Sequence, residues 1–360
     1  MTRVVVEVAV PEALGYQVVV GRDLGSSIGE VVSSSRRVAL IYPPDVAFKA
    51  AKLAGALADL VEITLIPVPD AEQQKTAVVA ATCWEALGTA GFTRTDTIVG
   101  IGGGATTDLA GFVAATWLRG VRIVHVPTTL LAMVDASIGG KAGINTAAGK
   151  NLVGAFHPPS AVFCDLDSLA TLPKADLVAG LAEVVKVGFT HDSKILSLIE
   201  SDPKLAADPN GPVLVELIER SITVKASVVG ADLRELLPGG REILNYGHTL
   251  GHAIERLENY GWRHGEAVSV GLVFAAELGR AAGHLSDATV DRHRSILQSL
   301  TLPTTYPGAR WLDLLQAMQL DKKKRGDVLR FVVIDDVCKP RVLAGVDPEV
   351  LAAAYAEVSI

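Results

Sequence analysis

The chain has 360 residues, 49% of them hydrophobic and 20% charged, with a formal net charge of −7. That length supplies two domains with sizeable cores, and the acidic balance argues against a nucleic-acid-binding face, which must be basic. The only basic run, DKKKR at 321–325, is too short to change that, and no apolar stretch is long enough to span a bilayer.

In chain order, MTRVVVEVAVPEA alternates and carries charges early, so it is expected to be a strand rather than a signal peptide. RRVALIY (36–42) reads as a buried strand, 48–60 as an amphipathic helix and 61–70 as a strand ending at prolines. A helix over 74–92, a strand over 96–104 running into glycines, a helix over 106–120 and a strand over 121–127 follow. Strands alternating with helices predict a parallel sheet with helices on its faces. After 156–173 helical periodicity dominates, over 174–191, 213–232, 243–258, 265–283 and 288–300, with 201–212 as a loop and a late strand over 328–336. The expected fold is a Rossmann-like α/β domain (1–172) followed by a mainly α-helical domain (173–360), and an interdomain cleft is the default ligand site for such a pair. Cys83, Cys164 and Cys338 are far apart and show no CxxC spacing, so they read as reduced core thiols.

Three segments carry chemistry. GIGGGATTD (100–108) joins a strand to a helix, where free N–H groups and the helix dipole suit an anion. No acidic ribose partner stands about 20 residues later, so a dinucleotide would not be held in the ordinary Rossmann manner. HVPTTLLAMVDASIGGKAGINTAAGKN (125–151) sets Asp135, Lys141, Lys150 and Asn151 among glycines and small residues, which fits a close-approaching anionic, hydroxylated ligand or, alternatively, a loop with solvated lysines.

NYGHTLGHAIE (245–255) places His248 and His252 four apart on one helical face, and His264 precedes the next helix. Three histidines at such spacing favour a metal over packing roles. Glu183, in GLAEVVK, and Glu266 both stand as the carboxylate of a two-histidine, one-carboxylate Lewis-acid site. Lys186, three residues after Glu183 in an apolar helix, forms a buried ion pair with it or joins it as a site group.

Together GGG-x3-D (102–108), RG (119–120), VPTTLLAMVDASIGGK-x-GIN (126–145), GKN (149–151), GLAEVVK (180–186), LNYGHTLGHAIE (244–255), HGEAVSVG (264–271) and DKK (321–323) make the chain resemble the 3-dehydroquinate synthase family over essentially its full length. The resemblance implies conversion of 3-deoxy-D-arabino-heptulosonate 7-phosphate to 3-dehydroquinate and phosphate, with catalytic NAD and a divalent metal, zinc or cobalt. It implies Glu183, His248 and His264 as metal ligands and Lys186, His252, Asn245 and Lys141 as catalytic residues. Substrate contacts fall on Asp135, Lys141, Asn151, Lys186, Lys225, Arg241, Asn245, His252, Lys322 and Lys323. Arg119 is implied to reach the partner's site in a cytoplasmic homodimer. NAD contacts fall on Asp70, Glu72, Lys75, Gly102, Gly103, Gly104, Asp108, Thr128, Thr129, Lys141 and Lys150.

Two departures from the family pattern stand out. LRELLPGGR after Asp232 is about two residues longer than usual and lacks the acidic pattern, and YPPDVA (42–47) replaces a T-x-x-N-V type turn, with Asp45 as a substitute. The competing readings are another sugar-phosphate cyclase such as 2-deoxy-scyllo-inosose synthase, an iron-dependent alcohol dehydrogenase, and an inactive homologue kept for binding.

Overall fold

A computed structural model describes residues 3–10, 15–307, 310–322 and 328–360, and for 320–322 the backbone alone. The chain divides into two compact units, Met1–Leu172 with Lys225–Arg234, and Pro173–Val224 with Glu235–Ile360.

The first unit runs β1 (Val4–Val8), β2 (Tyr16–Gly21), α1 (Gly25–Val32), β3 (Arg37–Tyr42), α2 (Ala47–Leu57), β4 (Glu62–Pro67), α3 (Ala77–Thr89), β5 (Thr97–Gly102), α4 (Gly104–Thr116), β6 (Arg122–Pro127), β7 (Lys141–Thr146), β8 (Gly149–Phe156) and β9 (Ala161–Asp165). Seven strands form one sheet in the order β1-β2-β9-β6-β5-β3-β4. All neighbours are parallel except the edge pair β1–β2. Both faces are buried, as a parallel sheet requires. Val38 and Leu40 point into one core, with Ile28 and Leu57 from α1 and α2. Ala39 and Ile41 point into the other, with Cys83, Leu87, Leu109 and Val113 from α3 and α4. The alternation of side chains along β3 thus fills both layers.

The segment after β6, for which a loop with solvated lysines is the alternative reading, contains the antiparallel hairpin β7–β8. Its small residues let the strands approach closely: a Cβ on Gly154 would lie 2.3 Å from the Ala142 carbonyl oxygen.

The second unit contains α5 (Lys174–Thr190), α6 (Ser193–Ser201), α7 (Pro203–Ala206), most of α8 (Pro212–Ala231), α9 (His248–Leu257), α10 (His264–Ala281), α11 (Asp287–Ser299), α12 (Trp311–Lys322), the antiparallel pair β10 (Arg330–Ile334) and β11 (Pro340–Ala344), and α13 (Pro348–Ala356). The segment 201–212, expected as a loop, holds the short α7, started by Asp202 accepting from the Lys204 and Leu205 amides. Helices α5 and α10 are buried along nearly their whole length and form the centre. No helix among the described residues is long and apolar enough to cross a membrane. Cys83, Cys164 and Cys338 are free, and burial pushes the Cys83 thiol up to about 12, which makes it inert.

Candidate functional site

In the second unit, three elements converge on one buried carboxylate. Glu183 projects from the middle of α5, His248 opens α9 and His264 opens α10. Glycines make that convergence possible. Gly247 has φ +79°, a conformation that favours glycine, and turns the chain directly into His248. At Gly265 a Cβ would lie 1.8 Å from the Ala179 carbonyl oxygen, so only glycine lets the start of α10 touch the α5 backbone.

Nε2 of His248 and Nε2 of His264 each lie 3.3 Å from Oε1 of Glu183. On the other side, Lys186 Nζ lies 2.5 Å from Oε2. These are ion-pair distances around a carboxylate whose two oxygens are both buried. One oxygen faces the two imidazole nitrogens and the other faces the ammonium.

The far nitrogen of each histidine is tied down. His248 Nδ1 donates to the Tyr246 carbonyl at 3.1 Å, and His264 Nδ1 lies 3.1 Å from Glu255 Oε2. A proton held on each Nδ1 leaves each Nε2 lone pair facing Glu183. This is the outer-sphere arrangement of histidines that bind metals.

Electrostatics fit the same group. Burial opposes the charged form of Glu183, but Lys186 and then His248 hold its carboxyl well below the usual range. Burial likewise opposes the charged form of His264, but Glu255 and Glu183 raise it to about 10. The metal-free cluster keeps a proton where a divalent cation fits. The donor set, two nitrogens and one oxygen with ligand atoms all within 4.8 Å, suits zinc or cobalt with open positions.

Of the two carboxylates open at the sequence level, Glu183 is the one in this cluster. Glu266 instead accepts from the Arg263 amide at 3.1 Å and closes the capping box of α10. His252 is exposed one turn after His248, with ring centroids 5.2 Å apart, and belongs to a second cluster with Glu255 and His264. Beside the histidines opens a shallow cleft lined by Asn245, His248, Thr249, His252, Glu242, Met318 and Arg330, among others. Arg330 makes a two-pronged pair with Glu242 at 2.8 Å on each arm. Arg241 is buried in the turn before Asn245. Lys323 lies outside the described residues, and for Lys322 only its place at the end of α12 is described.

In the first unit, GIGGG ends β5 and opens α4, as the strand–glycine–helix reading expects. The Gly103 carbonyl accepts from the Thr106 and Thr107 amides, and α4 starts with no side-chain cap and no acid in its first turn. The earlier amides have no helical acceptor, which suits a phosphate. Thr128 and Thr129 stand at the same edge: the Thr128 amide donates to the Gly102 carbonyl, and a Cβ on Gly103 would lie 3.3 Å from Thr129 Cγ2.

Next to this edge, Lys75 donates to Asp108 and to Asn151, both at 2.6 Å. Burial raises the Asp108 carboxyl while Lys75 pulls it back. Asn145 donates to Glu72 at 2.6 Å and Lys150 lies 3.4 Å from Glu72, so Glu72, Lys75, Asp108, Lys150 and Asn151 form one network. Asp70 caps the turn at Ala71, and Asp45, raised by burial and then by Asp70, takes an acidic position after β3. Asp135 lies on a π-helical turn, Ala132–Ala136, and pairs with Lys225. Such turns are frequent at functional sites. Lys141, at the start of β7, and Arg119, after α4, are exposed. Leu118 and Arg119 have φ of 49° and 68°.

Sequence reasoning missed Glu255, Glu242 and Arg330. Glu255 was findable, since it follows His252 by three residues and His248 by seven and so shares their helical face.

Similarity to known proteins agrees with this geometry. Residues 65–179 match the 3-dehydroquinate synthase N-terminal family and 180–324 the 3-dehydroquinate synthase C-terminal family. A 3-dehydroquinate synthase of Streptomyces avermitilis is 61% identical over 345 residues, covering 95% of this chain and 94% of the relative. A 2-deoxy-scyllo-inosose synthase solved with carbaglucose-6-phosphate, NAD⁺ and Co²⁺ superposes with a TM-score of 0.89 at 26% identity, over 99% of this chain and all of that one. A 2-epi-5-epi-valiolone synthase from Streptomyces hygroscopicus, solved with NAD⁺ and Zn²⁺, gives 0.90 at 25% identity over 98% of both. With both halves matched and the relative's identity sustained end to end, the chain belongs to the 3-dehydroquinate synthase family.

Proposed function

We infer that the chain converts 3-deoxy-D-arabino-heptulosonate 7-phosphate to 3-dehydroquinate and inorganic phosphate, using NAD catalytically and one divalent metal. The observation that carries this reading is the convergence of Nε2 of His248 and of His264 on Glu183 in a chain 61% identical to a 3-dehydroquinate synthase. The inosose synthase alternative is supported at only 26% identity.

Glu183, His248 and His264 would hold the metal. When bound, the metal supplies Lewis-acid polarisation of neighbouring substrate hydroxyls and NAD a temporary hydride acceptor. The chain's own residues position and neutralise. Lys186 sets a buried cation beside Glu183, where it meets a developing negative charge. Asn245 and His252 line the cleft next to the metal ligands and suit substrate oxygens. Asp135, Lys141, Asn151, Lys225, Arg241, Lys322 and Lys323 complete the set for phosphate, hydroxyls and carboxylate. Two or more cations per anion suit a substrate that carries both charges.

The amides at Gly102–Gly104, with Thr128 and Thr129, suit the dinucleotide's phosphates. Glu72, Lys75, Asp108, Lys141 and Lys150 serve the rest of NAD, and Asp70 stands beside Asp45 where a ribose hydroxyl would be read. Few groups here suit general acid–base work, so the substrate's own phosphate takes up the proton whose loss precedes its departure. The active form in this reading is a homodimer in which Arg119 reaches the partner's substrate. It is a cytoplasmic enzyme of the shikimate pathway to aromatic amino acids.

The test supplies the heptulosonate phosphate with NAD and zinc or cobalt and follows phosphate and 3-dehydroquinate. Equal amounts of both support the reading. Phosphate without the carbocycle, or no phosphate at all, contradicts it.

A further inference from the structure

Tyr246, fully buried at the turn before α9, makes bonds at both of its polar ends. Its carbonyl accepts from His248 Nδ1 at 3.1 Å, and its phenol oxygen lies 2.9 Å from Nε2 of His293. His293, on α11 and also fully buried, has Nδ1 2.7 Å from the Thr289 carbonyl. One proton arrangement satisfies every group: His293 Nδ1–H donates to Thr289, and His293 Nε2 accepts from the Tyr246 hydroxyl. Burial lowers His293 to about 3, so the imidazole stays neutral and keeps these roles. The ring of His293 stacks on Phe189 with centroids 3.4 Å apart and planes 10° apart. Phe189 is on α5, six residues after Glu183. One buried network thus links α11, the helix that carries Glu183 and the turn that carries His248.

A histidine and a tyrosine hydroxyl in an apolar core need a reason, because apolar side chains of the same shape would leave nothing to satisfy. Neither His293 nor the Tyr246 phenol belongs to the ligand cluster. We propose that Thr289, His293 and Tyr246 form a strut that fixes the Tyr246 carbonyl and, through it, the His248 imidazole in its metal-binding orientation. Tyr246 and His293 are then positioning residues. The proposal rests on the metal-site reading given above.

The test uses the full chain, stripped of metal and titrated with cobalt against a competing chelator, with the visible cobalt spectrum recorded. Tyr246→Phe removes a single oxygen and keeps the ring. Cobalt affinity should fall about tenfold, the lower end of the range for groups behind a metal ligand, and the cobalt bands should shift. The double variant Tyr246→Phe with His293→Leu removes the unsatisfied nitrogen as well. Its melting temperature should recover toward that of the parent while cobalt affinity stays weak. Affinity within about twofold of the parent in Tyr246→Phe, or affinity that recovers together with stability in the double variant, overturns the strut in favour of simple core filling. A parent chain that binds no cobalt brings down the metal-site reading itself, and the strut with it.

Discussion

Glu255 stands directly behind His264: its Oε2 lies 3.1 Å from Nδ1 of that ring, whose Nε2 lies 3.3 Å from Glu183. The imidazole is held between two carboxylates, and in the proposed site one would orient it and the other would share the metal with it. Glu255→Gln keeps an oxygen able to accept from Nδ1–H but loses the charge, so zinc affinity should fall about 10- to 100-fold, and further in Glu255→Ala. Chelator competition measures this. Equal affinities in parent and Glu255→Ala would remove Glu255 from the site.

Chelation should abolish turnover, and zinc or cobalt should restore it. Glu183→Gln, His248→Ala and His264→Ala should each lower bound metal, measured by elemental analysis of dialysed protein. Full metal content in any of these three variants would show that the residue is not a ligand.

Metal uptake should release protons. His264 sits at about 10 in the metal-free protein, above its ordinary 6.5, so it carries a proton at neutral pH that a metal must displace. Apparent affinity should rise about tenfold per pH unit from near 7 toward 10 and then flatten. The sign for folding is opposite. A raised histidine contributes stability that is fully present below 6.5 and lost as pH rises through about 10, so the metal-free protein should weaken across that window while the zinc form does not. Titration of zinc into weakly buffered protein reads the proton release, and melting curves with and without zinc read the stability.

Lys186→Ala should fold when metal is bound but lose most turnover. Without metal the substitution leaves Glu183 buried and uncompensated apart from the histidines, a loss of about 3–5 kcal/mol for a broken buried pair. Zinc should restore much of that loss by compensating the same carboxylate. Unchanged turnover with lowered stability in both forms would make the pair purely structural.

The shared-site homodimer predicts complementation. Arg119→Ala and Lys186→Ala chains, each inactive alone, are mixed and allowed to exchange subunits. In the heterodimer one site carries both defects and the other neither, so activity should return in part. Confirmed heterodimers without recovery would leave Arg119 as a residue serving only its own chain's helix end.

Much of this was legible in the sequence because burial imposes a pattern. The unbroken apolar runs of RVALIY and of α5 are dictated by a sheet and a helix covered on all sides. The hairpin β7–β8 was not legible, since KAGINTAAGKNLVGAF is built of small residues and β8 is mostly exposed, leaving no two-residue alternation to read. The AVFCD strand lies between prolines and a 3-10 turn and is only five residues long. In the site, the histidines and Glu183 stood out by residue type. Two supports did not: the group behind His248 is a backbone carbonyl, which any residue supplies, and the partner of the Tyr246 hydroxyl is 47 positions away in sequence. Residue type and spacing leave Glu183 and Glu266 both open; the family resemblance points to Glu183, and the start of α10 shows Glu266 engaged as a cap.

The central claim is that the chain borrows NAD rather than consuming it. The most direct measurement follows phosphate release and NADH together, from the heptulosonate phosphate with zinc-loaded protein and NAD supplied at no more than one per chain. The account predicts many phosphates released per NAD with no net build-up of NADH. One NADH accumulating per product, or turnover that stops when the NAD is used once, would contradict it and place the chain among the net dehydrogenases.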